Sequence, residues 1–410
     1  MSPVECPARA LGHHVAVLRF VRFAAVLGAF VGASASAAEV AAPLEPSLEI
    51  GVDKGAGTFP SRLGFGLSVA ESSLYARDHA GHGYFIVRPK GDGSWQVATV
   101  AAGGRINPWA GGLVLADSGT TYILNKDLTR SQVTSSSVTL VDDAKGAPRW
   151  TTAWDGRTAE NPTLVDGRVV VYSRQRNVGT GAIVLDADGK ELQRIGLPFP
   201  WNVSAGAFAH GHEVFFHGLS SEGPFIVAVD PATGKETWRE KLGFGSTASG
   251  LSGDLAVLHY PYDQGDYAVV DLARHKVLKT GSSRGVVERG MSVTGAAAYF
   301  WGKKLDGGGV VIRRFDLKTL RMQWERALDP GMAVVAGAVQ RDDRVWFMVQ
   351  GAQGSTRLQA LDPATGATVR DLELKERLKL ETGVGPVDYQ GLFVVGTQGG
   401  RVLGYALPRD

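Results

Sequence analysis

The sequence predicts an all-β chain folded as a single β-propeller of four-stranded blades, eight in number or seven, closed by a strand from near its start. Three observations predict it. A unit of apolar strand, aspartate and glycine turn recurs along the chain with a period near 45 residues. Between successive copies lies a second hairpin signal, two apolar runs parted by a short polar turn such as Asp166-Gly167. Glycine supplies 54 of the 410 residues, well above the usual share of roughly 7%. That abundance favours tight turns, without collagen's strict triplet. Apolar residues at 44% and charged residues at 20% exclude wholesale disorder.

In chain order, the first element is a leader. Arg19 and Arg22 precede an apolar run from Phe23 to Ala33, and Ala35-Ser36-Ala37 offers the small residues a signal peptidase reads, so residues 1–37 are expected to be a cleaved signal peptide. Eleven apolar residues are too few for a membrane span, which needs about 20. Cleavage removes Glu5, Arg9, Arg19 and Arg22, taking 43 basic and 41 acidic residues to 40 and 40 and the formal charge to zero. Nothing global then steers the chain to nucleic acid or anionic lipid. The one cysteine, Cys6, leaves with the leader, and with it any disulfide, thiolate metal site or cysteine nucleophile. The expected product is a soluble, monomeric periplasmic or secreted protein with no transmembrane segment.

Residues 38–47 read as a linker and 48–410 as the propeller. Leu48-Glu-Ile-Gly-Val52 alternates apolar and polar residues, as a strand does. The last repeat has only three strands before the chain stops, so residues 48–52 are expected to pair with 401–407, close the ring and remove two free edges.

The repeat itself is clearest in Val227 to Trp238, Gln359 to Arg370 and Ile183 to Arg194, and weaker in Val269 to Lys279 and Arg313 to Trp324. Its anchor aspartates are Asp186, Asp230, Asp271, Asp316 and Asp362, spaced 44, 41, 45 and 46 residues apart. In Asp-Pro-Ala-Thr-Gly the carboxylate accepts backbone N–H groups, proline presets φ and glycine takes the left-handed conformation. Upstream hairpins centre on Gly167, Gly211, Gly253, Gly295, Asp343 and Gln390. Extending the register forward puts Arg88 and Asn125 in the anchor place. The 61 residues from Asn125 to Asp186 then imply an insertion around Ser131 to Trp154, which makes seven blades the alternative to eight. Leu374 to Leu380 is the one stretch after the leader that reads as a helical turn.

With an anchor aspartate, a glycine turn and a tryptophan eight residues past the anchor (Trp238, Trp324), these units resemble the pyrroloquinoline-quinone-like β-propeller repeat. That repeat occurs in quinoprotein alcohol and glucose dehydrogenases and in the propeller subunit of the bacterial outer-membrane β-barrel assembly machinery. The first resemblance implies pyrroloquinoline quinone and calcium, held in many relatives beside an adjacent Cys-Cys disulfide that this chain lacks. The second implies a protein partner in the envelope and no cofactor, and matches better in size. Its members are normally lipoproteins, whereas no cysteine here stands at the end of the leader.

Candidate chemistry is sparse. His210, His212 and His217 form the densest histidine group, but His212 and His217 fall near opposite ends of one strand, so exposed structural histidines are expected in place of a metal site. Asp186-Ala-Asp188-Gly189 opens like a calcium loop, yet its twelfth position is Leu197 where a glutamate is required. Gly91-Asp-Gly93 and Gly307-Gly308-Gly309 open no helix that would present amides to phosphate. Asn202-Val-Ser204 matches a glycosylation acceptor, and no G-x-S-x-G elbow is present.

Loop length is more informative. Turns after the anchors are uniformly short, whereas connections between second and third strands vary from Asp117–Gly119 to Gly302–Gly309, all on one face because antiparallel strands reverse at alternating ends. Binding usually resides on such loops. Candidate partner-binding residues are Arg174, Arg176, Tyr260, Tyr262, Lys303 and Lys304 in these loops and Asn107, Asn161, Trp201 and Asn202 at the starts of the first strands on the same face, with Tyr260-Pro-Tyr262 presenting two rings on a stiffened backbone. The expected function is a non-catalytic envelope scaffold binding a protein. The alternatives are a quinone-dependent oxidoreductase and a small-ligand-binding propeller.

Overall fold

The computed structural model describes residues 43–50, 67–70, 72–78, 83–100, 105–109, 112–125, 128–142, 147–155, 157, 160–175, 179–197, 206–220, 223–245, 248–260, 265–283, 285–380, 385–397 and 401–408. The leader expected at 1–37 and the acceptor Asn202 lie outside them. No described residue is helical, and no helix is long and apolar enough to cross a membrane. Leu374 to Leu380, expected to include a helical turn, is instead a bent connection carrying two isolated bridges, Leu44 to Leu374 and Leu380 to Thr397.

The described strands fall into eight four-stranded antiparallel sheets, seven of them hydrogen-bonded in chain order. Sheet 1 comprises Leu67–Ala70, Ser73–Asp78, Gly83–Pro89 and Trp95–Val100; sheet 2, Arg105–Trp109, Gly112–Asn125, Leu128–Asp142 and Ala147–Asp155. Sheet 3 comprises Glu160–Val165, Arg168–Gln175, Gly179–Leu185 and Glu191–Leu197; sheet 4, Gly206–His210, Glu213–Ser220, Gly223–Asp230 and Lys235–Lys241. Sheet 5 comprises Ala248–Ser252, Leu255–Tyr260, Asp266–Asp271 and Lys276–Ser282; sheet 6, Val286–Thr294, Ala297–Lys304, Val310–Asp316 and Arg321–Ala327. Sheet 7 comprises Ala333–Arg341, Arg344–Gln350, Thr356–Leu361 and Thr368–Glu373. Sheet 8 takes Val387–Tyr389, Leu392–Gly396 and Val402–Ala406 from the chain's end and its outer strand, Leu48–Ile50, from near the start.

In sheets 3 to 8 the second and third strands are largely buried on both faces, which is why they read as continuous apolar runs such as Phe225 to Val229. Outer strands alternate or are exposed, as in Lys235–Lys241. Neighbouring sheets share apolar clusters: sheet 3 meets sheet 4 through Tyr172 and Phe216, and sheet 7 meets sheet 8 through Trp346 and Phe393. Sheet 8 in turn packs on sheet 1 through Leu48, Leu392 and Leu74. The first strand of sheet 8 lies against those of both sheet 7 and sheet 1, so the series closes on itself as a propeller. Closure is an antiparallel pairing of Leu48 with Gly404 and Ile50 with Val402. Arg401 reinforces it, reaching Glu49 at 3.0 Å and Glu376 at 2.5 Å.

The seams repeat the sequence's own period. Trp150 and Trp324 donate their indole N–H to the carbonyls of Ala187 (2.8 Å) and Pro363 (3.0 Å), each the residue after the next sheet's anchor aspartate. Gln193 does the same to Pro231 at 2.6 Å. A Cβ on Gly189 or Gly366 would collide with the ring of Trp150 or Trp324, so glycine there serves the close approach as well as the left-handed turn.

This seam corrects the register of the front half. The anchor of sheet 2 is Asp142, which is 44 residues before Asp186 and eight before Trp150, and not Asn125. Ser131 to Trp154 is no insertion: it forms most of the third and fourth strands of that sheet. The extra length lies in a hairpin whose arms run on to Asn125 and Leu128, beyond the pairing with either flanking strand. Asp117 to Gly119, expected as a connection, is strand within that hairpin. In sheet 1 the anchor place is held by Lys90, which closes the turn with Ser94, and not by Arg88.

Candidate functional site

The short anchor turns occupy one face of the propeller and the variable connections the other. The anchor turns are self-contained: Asp230 accepts the N–H of Ala232 at 2.7 Å and the hydroxyl of Thr233 at 2.8 Å, and Asp362 accepts the N–H groups of Ala364 and Thr365. The Thr233 hydroxyl is the main cause of the lowered pKa of Asp230, and the Thr365 N–H that of Asp362. Asp186 likewise accepts the N–H groups of Asp188 and Lys190, as a repeat turn does.

Histidines on this face act as seam clasps. His212 meets Asp166 at 2.7 Å, His210 meets Asp254 at 3.3 Å and His275 meets Glu213 at 2.7 Å, each pair joining neighbouring sheets. His217 departs from the expected exposed role: it is buried in sheet 4 because its position on the second strand points into a seam. His217 pairs with Ile226 across its sheet as His259 does with Tyr267 in sheet 5, so the repeat assigns both to the same buried layer. Among the described residues no group of three or more His, Cys, Asp or Glu could hold a metal ion.

On the opposite face, the described part of the loop cluster is organised around a buried carboxylate. Glu288, on the first strand of sheet 6, contacts His259 Nε2 from the second strand of sheet 5 and accepts the hydroxyl of Ser283 from the connection between the two sheets. All three side chains are buried. Gly265 packs so closely on the Glu288 carboxyl that no Cβ would fit there. Backbone bonds run outward from this node: Ser283 N–H to Gly265 at 3.3 Å, Val286 N–H to Ser283 at 3.0 Å and Leu305 N–H to Gly285 at 2.9 Å. Three connections of the variable face are thus tied together over one charge. Burial, then Glu288, push the Tyr267 phenol above its ordinary pKa.

The sequence candidates divide around this node. Tyr260 ends the second strand of sheet 5 and packs, half-buried, against the cluster of Phe215, Leu258 and Ala268. Lys303 is exposed, while Lys304 is half-buried and bonds Glu325 at 2.8 Å, which raises its pKa. Glu325 also receives Arg313 at 2.7 Å; burial alone would raise its pKa, but the two cations outweigh that and lower it. Asn107 and Asn161 lie on the first strands of sheets 2 and 3, and Arg174 near the end of the second strand of sheet 3. Arg176, Trp201, Asn202 and Tyr262 lie outside the described residues.

Sequence reasoning missed Arg289 and Leu305, both exposed beside Lys303, and the buried node beneath them. The alignment of His217 with His259 was available from the repeat, but nothing local marks Glu288 as the neighbour of His259.

The geometry resembles several solved propellers. BamB from Moraxella catarrhalis superposes with a TM-score of 0.57 at 16% identity, covering 90% of this chain and 99% of that one. The quinohemoprotein alcohol dehydrogenase ADHIIG from Pseudomonas putida HK5 gives 0.53 at 12% identity, over 90% and 78%. Apo AztD from Citrobacter koseri gives 0.51 at 13%, over 76% and 86%. At these identities the likeness concerns the fold alone. No curated protein matches the sequence significantly. The family model described as outer membrane protein assembly factor BamB matches residues 84–256 and 186–376, most of the propeller, and the chain belongs to that family.

Proposed function

We propose that this chain is a non-catalytic propeller scaffold of the cell envelope that binds a protein partner through its variable-loop face during outer-membrane protein assembly. The family match across residues 84–376 carries this reading. On this reading the chain works in the periplasm after loss of residues 1–37, as a monomer without cofactor. Asn107, Asn161, Arg174, Arg176, Trp201, Asn202, Tyr260, Tyr262, Lys303 and Lys304 contribute the contact surface, with Tyr260 serving also as packing. Affinity purification of the full chain from a native envelope fraction tests it. A stoichiometric outer-membrane assembly protein is the expected companion, and its absence under gentle extraction overturns the reading.

A second reading, a quinone-dependent oxidoreductase, is favoured by the likeness to the alcohol dehydrogenase. Among the described residues no group of three or more His, Cys, Asp or Glu is placed to hold a metal ion, which lends this reading no support. A rise in melting temperature with pyrroloquinoline quinone and calcium together, absent with either alone, would favour it over the scaffold. The same assay with other small ligands addresses a ligand-binding propeller.

A further inference from the structure

We infer that Arg289, Lys303 and Leu305, on the loop face of sheet 6, form a preorganised docking patch for an acidic segment of the partner protein that carries an aliphatic side chain. The inference rests on the binding reading above and names where and what that face would bind.

Three observations meet at this patch. Leu305 is 65% exposed, the most exposed of the large apolar side chains described. It stands at the tip of a connection whose backbone is fixed on both sides, by Lys304 N–H to Gly309 at 2.9 Å and Leu305 N–H to Gly285 at 2.9 Å. An exposed leucine on a tethered turn loses little conformational freedom when a partner covers it.

Charge supplies the second observation. Lys303 pairs in register with Val287, two residues before Arg289, so the two cations lie on neighbouring strands. Both are exposed, and neither meets a described carboxylate. Of the adjacent charged groups, Lys304 and Arg313 share Glu325, while Asp306 accepts the N–H of Gly308 at 2.8 Å and stays exposed. The patch therefore offers two cations that hold no ion-pair partner among the described residues beside an apolar tip, and their electrostatic complement is a segment bearing Asp or Glu next to an aliphatic residue.

The third observation is the cost beneath it. Burying the Glu288 carboxylate with His259 and Ser283 needs desolvation that well-packed apolar residues would avoid. Here the node ties together the connections at Gly265, Ser283 and Leu305, the arrangement that holds the patch in one shape.

The test places a photo-crosslinking benzoylphenylalanine at Leu305 of the full chain in its native envelope, with Ala364 on the anchor-turn face as the comparison site. The expected result is a crosslink from 305 and none from 364, to a segment containing acidic residues beside an aliphatic one. Arg289→Glu with Lys303→Glu is expected to cut that crosslink about tenfold, with unchanged melting temperature. If the wild-type chain retains its partner but crosslinks only from 364, or from 305 to a basic or uncharged segment, the patch is overturned and the scaffold reading stands. If the chain retains no partner at all, the scaffold reading fails and the patch with it.

Discussion

The indole of Trp238 and the imidazole of His275 stack in parallel across the seam between sheets 4 and 5, with ring centroids 5.4 Å apart and planes within 6°. His275 occupies the left-handed turn position, φ 51°, that Gly366 holds beside Trp324. Where the other turn clears a side chain away to admit a tryptophan, this one supplies a ring to cover it, and Glu213 holds that ring at 2.7 Å.

His275→Ala should therefore cost about 1–2 kcal/mol, the stacking and hydrogen-bond contributions together. His275→Gly loses the same contacts but relieves the left-handed backbone, which costs an L-residue roughly 1–2 kcal/mol. Urea denaturation should rank wild type above His275→Gly and His275→Ala lowest. Equal stability of wild type and His275→Ala would show that the stack contributes nothing.

Glu288→Ala leaves His259 and Ser283 buried without their acceptor and should cost about 3–5 kcal/mol. Glu288→Gln keeps an acceptor and most of the volume, so its loss should be smaller. The check is the denaturation midpoint of each variant at one pH. A loss under 1 kcal/mol for alanine would mean that water reaches the site.

Leu48 is 2% exposed on the strand that closes the ring. Leu48→Ala should cost about 2–5 kcal/mol, the range for truncating a buried leucine, although the described part of that strand pairs over three residues. Limited proteolysis should then cut first near the two ends of sheet 8, because unpairing Leu48–Ile50 bares the strand Val402–Ala406. Initial cleavage elsewhere would contradict this.

The anchor aspartates give a pH signature. Asp230 and Asp362 have folded pKa values below the ordinary carboxylate value, so they contribute stability that is present above the unfolded pKa, about 3.9, and is lost as pH falls through the folded value. Asp230→Asn and Asp362→Asn should lower stability at neutral pH and flatten its decline below about pH 4. Thermal melts from pH 2.5 to 7 would reveal this; parallel curves for wild type and variants would refute it.

How much of this was legible in the sequence depends on the range of each interaction. The anchor turns, the hairpins at Gly167, Gly211, Gly253 and Gly295, and the closing role of Leu48 to Ile50 are set by neighbours within a few residues or by an unfilled place in the repeat, so reading along the chain finds them. Asp142 and Trp150 carried the same eight-residue signature as Trp238 and Trp324, yet the long hairpin of sheet 2 displaced the register and put Asn125 in their place. The loop-face candidates followed from strand direction alone.

Only the tertiary structure decided what meets across the seams. His259 and Glu288 are 29 residues apart, and His275 and Glu213 are 62 apart. Neither pair shares a turn or a strand ladder; each is joined because two twisted sheets approach at one depth. Local backbone preferences dictate turns and strand alternation, so one sequence displays them. Which buried side chains face one another depends on how neighbouring sheets pack edge against edge around the ring. For these two pairs that choice is made by volume and hydrogen-bond satisfaction in three dimensions, and the repeat that records the tryptophan seams does not record it.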